Sequence, residues 1–240
     1  MSALPLLEVE GIYSGYGETQ VLRDLSLSVG EGEIVSLVGR NGAGKTTTLR
    51  TIMGILTPTS GRVTYRDEDI STLEATETAK KGLAFVPEER QIFPELTVRE
   101  NLELAAHGGA PDVDSLSVGE ALEMFENLQA RATNAGSSLS GGEQQMLAIA
   151  RALVGGADLI LLDEPTEGLA PYIVQDVMDI INELNDRGIT VLLVEQNVHV
   201  CLELADRNYV INQGEVVYEG TSEELRADEE ILDKYLGVTA

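Results

Sequence analysis

Between an apolar run at Glu33–Val38 and a helical stretch at Thr46–Met53, the chain reads Gly39-Arg-Asn-Gly-Ala-Gly-Lys45-Thr46. No other segment restricts the fold so tightly. Its spacing is GxxxxGK(S/T), a pattern with physical meaning only where a strand feeds it and a helix leaves it. Glycines let the backbone curl until successive N–H groups face inward, at a helix N-terminus whose dipole already favours anions. In that geometry Lys45 reaches the β- and γ-phosphates of a nucleotide, and the Thr46 hydroxyl ligates Mg²⁺. A Gly-rich turn with a chance lysine would not be framed in this way.

The rest of the pattern fits an α/β core around that loop. Leu6–Tyr13 is a short apolar-rich run, and Tyr16-Gly17 marks a turn. Leu25, Leu27 and Val29 alternate with Ser26 and Ser28, as in a half-buried strand. Further strands are expected at Arg62–Tyr65 and Leu83–Val86. Residues 95–153 are helical in pattern, with a loose Gly/Pro/Ser-containing stretch around 107–119. Leu159–Leu162 and Ile189–Val194 are continuous apolar runs, typical of strands covered on both faces. Between them Pro171–Asp186 starts on proline and puts Ile173, Val177, Ile180 and Leu184 on one helical face. Asn208–Asn212 and Glu215–Glu219 flank Gln213-Gly214 as a hairpin, and Ser222–Leu236 reads as short helices. The sum is a parallel α/β core with an antiparallel edge and a helical insert.

Composition narrows what such a chain can meet. Asp+Glu number 41 against 16 Lys+Arg, a net charge of −25. That surface repels nucleic acid, so no nucleic-acid partner is expected. Concentrated salt would screen the self-repulsion, which suits a halophile's protein, with an acidic protein of ordinary salt as the alternative. No segment has the ~18–20 uninterrupted apolar residues that span a bilayer. The opening Met1-Ser-Ala-Leu-Pro lacks the basic and apolar regions of a signal peptide, and the single cysteine, Cys201, excludes an internal disulfide framework. A soluble intracellular protein is therefore expected.

Two more motifs complete the chemistry. Leu159-Ile-Leu-Leu-Asp163-Glu164 puts an acid at a strand's carboxyl end, where α/β ligands bind. Asp163 would hold Mg²⁺ through water and Glu164 would polarise the attacking water. Alone this pair is weak, since buried strands often end in acids; after a phosphate loop it is strong. About 20 residues upstream lies Leu139-Ser140-Gly141-Gly142-Glu143-Gln144-Gln145, with Ser140 capping a helix to about Leu153. Over nearly its whole length the chain resembles the ATP-binding-cassette (ABC) ATPases, whose signature is LSGGQ-like.

That resemblance implies a P-loop NTPase (RecA-like) core with an antiparallel β subdomain and a helical insert carrying the signature. It makes 1–240 a single cassette domain with the helical subdomain at about 88–155. It also implies a head-to-tail dimer in which each ATP lies between one subunit's phosphate loop and the other's signature helix, so Ser140 and Gly142 would contact a partner's nucleotide. Asn41, Gly42, Gly44, Lys45, Thr46 and Thr47 carry over as phosphate-loop residues, and Tyr16 matches the aromatic that stacks on adenine. Transmembrane permease subunits are the implied partners, with the chain peripheral at the cytoplasmic face of the membrane.

Three positions depart from the family's commonest pattern. Glu88 stands where glutamine usually contacts Mg²⁺ and water, and Gln196 where a histidine usually touches the γ-phosphate. The loop Thr166-Glu-Gly-Leu-Ala-Pro171 lacks the usual aspartate. Gln196 can donate a hydrogen bond but carries no charge, which would slow hydrolysis. The strings VPEERQIFPELTVRENL, LSGGEQQMLAIARAL, EPTEGLAP and LVEQN resemble the second ATPase subunit of branched-chain amino-acid importers, which pairs with a different ATPase, so a heterodimer is implied, with a homodimer as the alternative. Amide and urea importers have similar subunits. A soluble ABC protein acting on macromolecular assemblies is the rival of another class, but such relatives usually carry two cassettes or a long coiled coil. A nucleotide-gated assembly protein with little turnover is a third reading, which Gln196 keeps open. His107 reads as a surface residue, and His199 and Cys201 are not spaced as a metal site. Phe93 and Leu96 fit either a surface that meets a membrane subunit or the core of the insert.

Overall fold

The computed structural model describes residues 4–110, 113 and 115–237. Met1–Ala3 of the opening segment, and residues 111, 112 and 114 of the loose stretch, lie outside the described residues. The chain begins with a hairpin, β1 (Leu7–Tyr16) and β2 (Thr19–Val29), closed at Tyr16 opposite Thr19. Only the second half of β2 was legible as a strand. Register shifts around Leu22 and Leu25, with Asp24 at φ +51°, put Arg23 and Asp24 both outside and break the period-2 alternation.

β3 (Ile34–Val38), buried throughout, leads through the glycine loop into α1 (Lys45–Ile52). β4 (Ser60–Tyr65) and β5 (Glu68–Asp69) join β1 and β2 in a four-stranded antiparallel sheet, ordered β2-β1-β4-β5. After α2 (Ala75–Lys80) and β6 (Leu83–Val86), the described residues form α3 (Val98–His107), α4 (Val118–Met124), α5 (Glu126–Gln129), a 3-10 turn at Gly136–Ser138 and α6 (Gly141–Val154) before the next strand. Then β7 (Leu159–Asp163), α7 (Pro171–Asp186), β8 (Thr190–Glu195) and α8 (Val198–Leu204) follow in strict alternation. The hairpin of β9 (Arg207–Asn212) and β10 (Glu215–Thr221) ends the sheet, followed by the short helices α9 (Ser222–Ala227) and α10 (Glu229–Ile231) and a π-helical turn at Leu232–Leu236.

The second sheet is ordered β10-β9-β3-β8-β7-β6, parallel from β9 to β6 with β10 antiparallel at the edge. Alternate residues of its central strands serve two cores. Leu159, Leu161, Leu192 and Val194 face the antiparallel sheet and α1, packing with Leu25, Val63, Leu49 and Ile52. Ile160, Leu162, Val191 and Leu193 face the other way, onto Leu147, Ile149, Val177 and Ile181. Each fully buried aliphatic side chain contributes about 1.5–3 kcal/mol, so the sheet is held rigidly from both sides. In α7 the buried residues are Val177, Met178, Ile181 and Leu184, while Ile173 and Ile180 are only partly covered. The helix thus turns slightly from the expected face, because 3.6 residues per turn brings position 181 rather than 180 inward from 177. Among the described residues no helix is long and apolar enough to cross a membrane.

Candidate active site

The phosphate-type loop is shaped by what its glycines permit. A Cβ on Gly39 would lie 2.5 Å from the Ile211 carbonyl oxygen, so no side chain fits there. Gly42 and Gly44 adopt φ of +79° and +117°, in the region that favours glycine. Gly44 caps α1 with no side-chain bond to the first-turn amides, which leaves those donors aimed out of the helix. Lys45, 4% exposed, donates from Nζ to the carbonyls of Gly39 (2.8 Å) and Arg40 (3.2 Å). It also pairs with Glu164 Oε1 at 3.1 Å. The Thr46 hydroxyl donates to Asp163 Oδ1 at 3.0 Å.

The acidic side of the site hangs from two neighbouring strands. Asp163 ends β7 opposite Val194, and the Glu164 amide donates to the Val194 carbonyl at 2.9 Å. Glu164 has φ +47°, an unusual backbone for a residue with a side chain, held only where surroundings over-determine it. Burial pushes the Asp163 carboxyl up to about 6, with Glu164 and Glu88 adding repulsion against the opposing Thr46 hydrogen bond. Glu167 is raised to about 7, first by a hydrogen bond shared with Glu164, then by burial and nearby carboxylates. Burial also raises Glu195, against four hydrogen bonds that favour its charged form.

One cleft of about 400 Å³ gathers most of the expected residues: Asn41, Gly42, Gly44, Lys45, Thr46, Thr47, Glu88 and Glu164 line it. Val21 of β2 and Glu167 also line it, and neither was singled out in the sequence. Glu167 could have been found from its spacing, three residues beyond Glu164; Val21 gave no signal, because only the fold brings β2 over the loop. Asp163 meets the cleft through Thr46.

The remaining candidates lie elsewhere. Tyr16, 44% exposed, sits at the β1–β2 turn outside the cleft lining, its hydroxyl accepting from Arg50 of α1 at 3.3 Å. Gln196 is exposed just past β8, also outside the lining. Ser140 is exposed at the start of α6 in a reciprocal cap: Glu143 N donates to its Oγ (3.3 Å) and Ser140 N to Glu143 Oε2 (2.8 Å). A Cβ on Gly142 would meet Ile173 Cγ2 at 2.5 Å. Neither residue lines this chain's own cleft. Phe93 is 41% exposed, with the Arg151 guanidinium 4.6 Å from its ring centre, so it lies on the surface rather than in a core; Leu96 is half-buried. His107 and His199 are exposed, and burial raises the Cys201 thiol to about 12, which makes it inert.

These residues fit a nucleotide triphosphate with Mg²⁺. Curled glycine backbone, uncapped helix amides and a buried ammonium suit phosphate, while the Thr46–Asp163 pair offers the hard oxygens that Mg²⁺ takes. Among the described residues no cluster of three His, Cys, Asp or Glu could hold a metal by itself. Mg²⁺ characteristically takes one or two protein oxygens and completes its shell with phosphate and water, so this sparse set suits it.

Comparison with known proteins agrees with this geometry. Residues 22–167 match the model of the family described as "ABC transporter". The chain is 42% identical over 232 residues to the high-affinity branched-chain amino acid transport ATP-binding protein BraG of Pseudomonas aeruginosa, covering 97% of this chain and 100% of that protein. It is 37% identical over 234 residues to a probable branched-chain amino acid transport ATP-binding protein LivF of Archaeoglobus fulgidus (97% and 99% covered). Identity is also 37%, over 237 residues, to the lipopolysaccharide export system ATP-binding protein LptB of Haemophilus influenzae, with 98% of each chain covered. Among solved structures, an ATP-binding cassette in its ADP conformation superposes with a TM-score of 0.83 at 29% identity, covering 96% of this chain and 98% of that one. A dimeric cassette bound to ADP and phosphate gives 0.78 at 30% identity, covering 90% and 98%.

Proposed function

Because this chain belongs to the ABC transporter family, as an ATP-binding protein that energises transport, we propose that it is the ATPase of an importer for branched-chain or related amino acids. The observation that carries the hydrolytic part is the meeting of two halves of the site: Lys45 with Glu164 and Thr46 with Asp163, where Lys45, Thr46 and Glu164 line one cleft and Asp163 joins it through Thr46. In the proposed arrangement the phosphate loop amides, Asn41 to Thr47, hold the triphosphate, and Lys45 leaves Glu164 for the β- and γ-oxygens. Glu164, so released, accepts a proton from the attacking water. Thr46 and Asp163, with Glu88 at the rim, would hold Mg²⁺, which when bound neutralises charge developing on the phosphates. Tyr16 lies beside α1, where a modest movement of the turn could set it against an adenine. Gln196 donates a neutral hydrogen bond to the γ-phosphate, which gives slow turnover.

Exposed Ser140, at a helix start outside the lining of its own cleft, supports a head-to-tail pair in which it and Gly142 meet the partner's nucleotide. A dimeric cassette among the similar structures supports the same reading. A different ATPase chain is the proposed partner, with permease subunits at the cytoplasmic membrane surface. Residues 88–155 form the helical subdomain of one cassette in this reading, and the acid-rich surface suits concentrated salt. The names of two relatives support amino-acid cargo, while the 37% likeness to lipopolysaccharide export proteins keeps an exporter as the second reading. Co-purification with membrane subunits distinguishes them: a periplasmic-type binding protein requirement supports import, and its absence supports export. For hydrolysis, Glu164→Gln should reduce turnover by at least about 10²-fold; retention of activity within a few-fold of wild type removes the assignment.

A further inference from the structure

We propose that Glu195 is a positioning residue for hydrolysis, locking the loop after Glu164 to the loop that carries Gln196 so that both approach the nucleotide as one unit. Residues Thr190–Val194 of β8 are apolar or uncharged and buried, and a valine or leucine at 195 would simply continue the strand. Instead the strand ends in a carboxylate that is 2% exposed. Its Oε1 accepts from the Thr166 amide (3.1 Å) and the Thr166 hydroxyl (2.6 Å). Its Oε2 accepts from the amides of Gln196 (3.1 Å) and Asn197 (3.3 Å). A carboxylate has about four acceptor positions, so every one is used. One oxygen serves one loop and the other oxygen the other loop.

The backbone at the same point adds two more ties. The Glu195 carbonyl accepts from Gly39 N at 3.3 Å, and the Val194 carbonyl accepts from Glu164 N at 2.9 Å. Three segments that face the proposed nucleotide therefore converge on the last two residues of β8. Burying an ionised carboxylate is costly unless it is fully hydrogen-bonded, and apolar replacements of buried charges often stabilise a fold. The value of a charge here lies in direction: only an acceptor with two oxygens can face both loops. Glu164 needs such support, because its φ of +47° is uncommon outside glycine and Thr166, two residues on, is the point where the turn is pinned. The inference rests on the reading of Glu164 as the group that accepts the water proton.

Glu195→Gln keeps the shape but replaces one acceptor oxygen with an NH₂ donor, so the side chain can bond either loop but not both at once, and neither loop stays pinned. In the full chain, amide exchange of residues 164–168 and 196–197 should speed up together by about tenfold or more, with α6 unchanged. Steady-state kcat should fall at least about tenfold while KM for Mg–ATP stays within about threefold, since the binding residues are untouched. Thr166→Val, which removes one hydroxyl and leaves the buried carboxylate in place, is the milder variant should Glu195→Gln fold poorly. It should lower kcat in the same way, and Thr166→Ser, which retains the hydroxyl, should restore most of it. Adding Thr166→Val to Glu195→Gln should give less than the product of the two single effects. Exchange that changes in neither loop or in only one overturns the clamp, as does loss of KM and kcat in equal measure. If Glu164→Gln hydrolyses ATP normally, the reading of Glu164 fails by itself, and the exchange data still judge the clamp.

Discussion

Lys45 and Glu164 form a buried ion pair, so phosphate should have to compete with Glu164 for Lys45, and Glu164→Gln tests this directly. The two side chains are 3% and 8% exposed and 3.1 Å apart. Deleting one partner of a buried pair removes roughly 3–5 kcal/mol when the other charge is left bare. Lys45 is not left bare: it keeps the Gly39 and Arg40 carbonyls, and a glutamine oxygen can still accept from it. The loss should therefore be smaller, about 1–2 kcal/mol, since a hydrogen bond to Lys45 remains and only the charge of its acceptor is lost. For a chain of this size that lowers Tm by roughly 2–8 °C, at about 2–4 °C per kcal/mol. ATP has to take Lys45 away from Glu164, so the same 1–2 kcal/mol reappears as affinity, about 5- to 30-fold tighter binding in the variant. Glu167 complicates the measurement, because neutralising residue 164 also relieves its repulsion. At pH 6.5, below the value of about 7 to which Glu167 is raised, that repulsion is largely absent. Melting curves in chelator without nucleotide, and calorimetric titration with Mg–ATP, read the two effects. A variant that melts no lower than wild type and binds ATP no tighter refutes the competition between Glu164 and phosphate for Lys45.

Other consequences follow from single features. Gly39→Ala, with its Cβ 2.5 Å from the Ile211 carbonyl oxygen, should destabilise by about 1–3 kcal/mol and abolish ATP binding, read by melting and titration; Gly42→Ala meets nothing within 4 Å and should show only the strain of φ +79°. Burial of Glu33 opposes its charge, but hydrogen bonds from Arg207 and the Gly30 amide outweigh that and hold its carboxyl below the ordinary value. A depressed carboxylate stabilises above its unfolded value and loses that stabilisation as pH falls through the folded one. Glu33→Gln should therefore melt lower than wild type at pH 7, by the equivalent of about 1–2 kcal/mol, and the gap should close below about pH 4. With a net charge of −25, stability should rise as potassium chloride goes from about 0.1 M to 1 M and the screening length shrinks from about 10 Å to 3 Å; a flat or falling melting series removes the salt-adapted reading and leaves the ATPase untouched.

What could be read from the sequence was whatever depends on spacing along the chain. The glycine loop, Asp163 with Glu164, and the capped helix at Ser140 are contiguous strings, and contiguity fixes their local geometry before any packing is known. The strands that were clear, such as Leu159–Leu162, are buried on both faces and so have unbroken apolar sequences. β2 was half hidden because a bulge interrupts alternation, and a bulge is set by its partner strand rather than by its own residues. Val21 had no signal, since its approach to the glycine loop depends on how one sheet lies over the other. Glu195 was in plain view beside Gln196 yet had no reading, for a physical reason. An acid at the end of an apolar strand can be a solvated cap, a metal ligand or a clamp, and those differ only in where its two oxygens point. The partner that decides, Thr166, is 29 residues earlier on a neighbouring loop. The strands carry the segments to the site, and these cross-loop bonds set how the segments lie against one another. Rate should therefore respond to such bonds even where binding does not, because phosphoryl transfer depends on positioning within fractions of an ångström, while affinity is spread over many contacts.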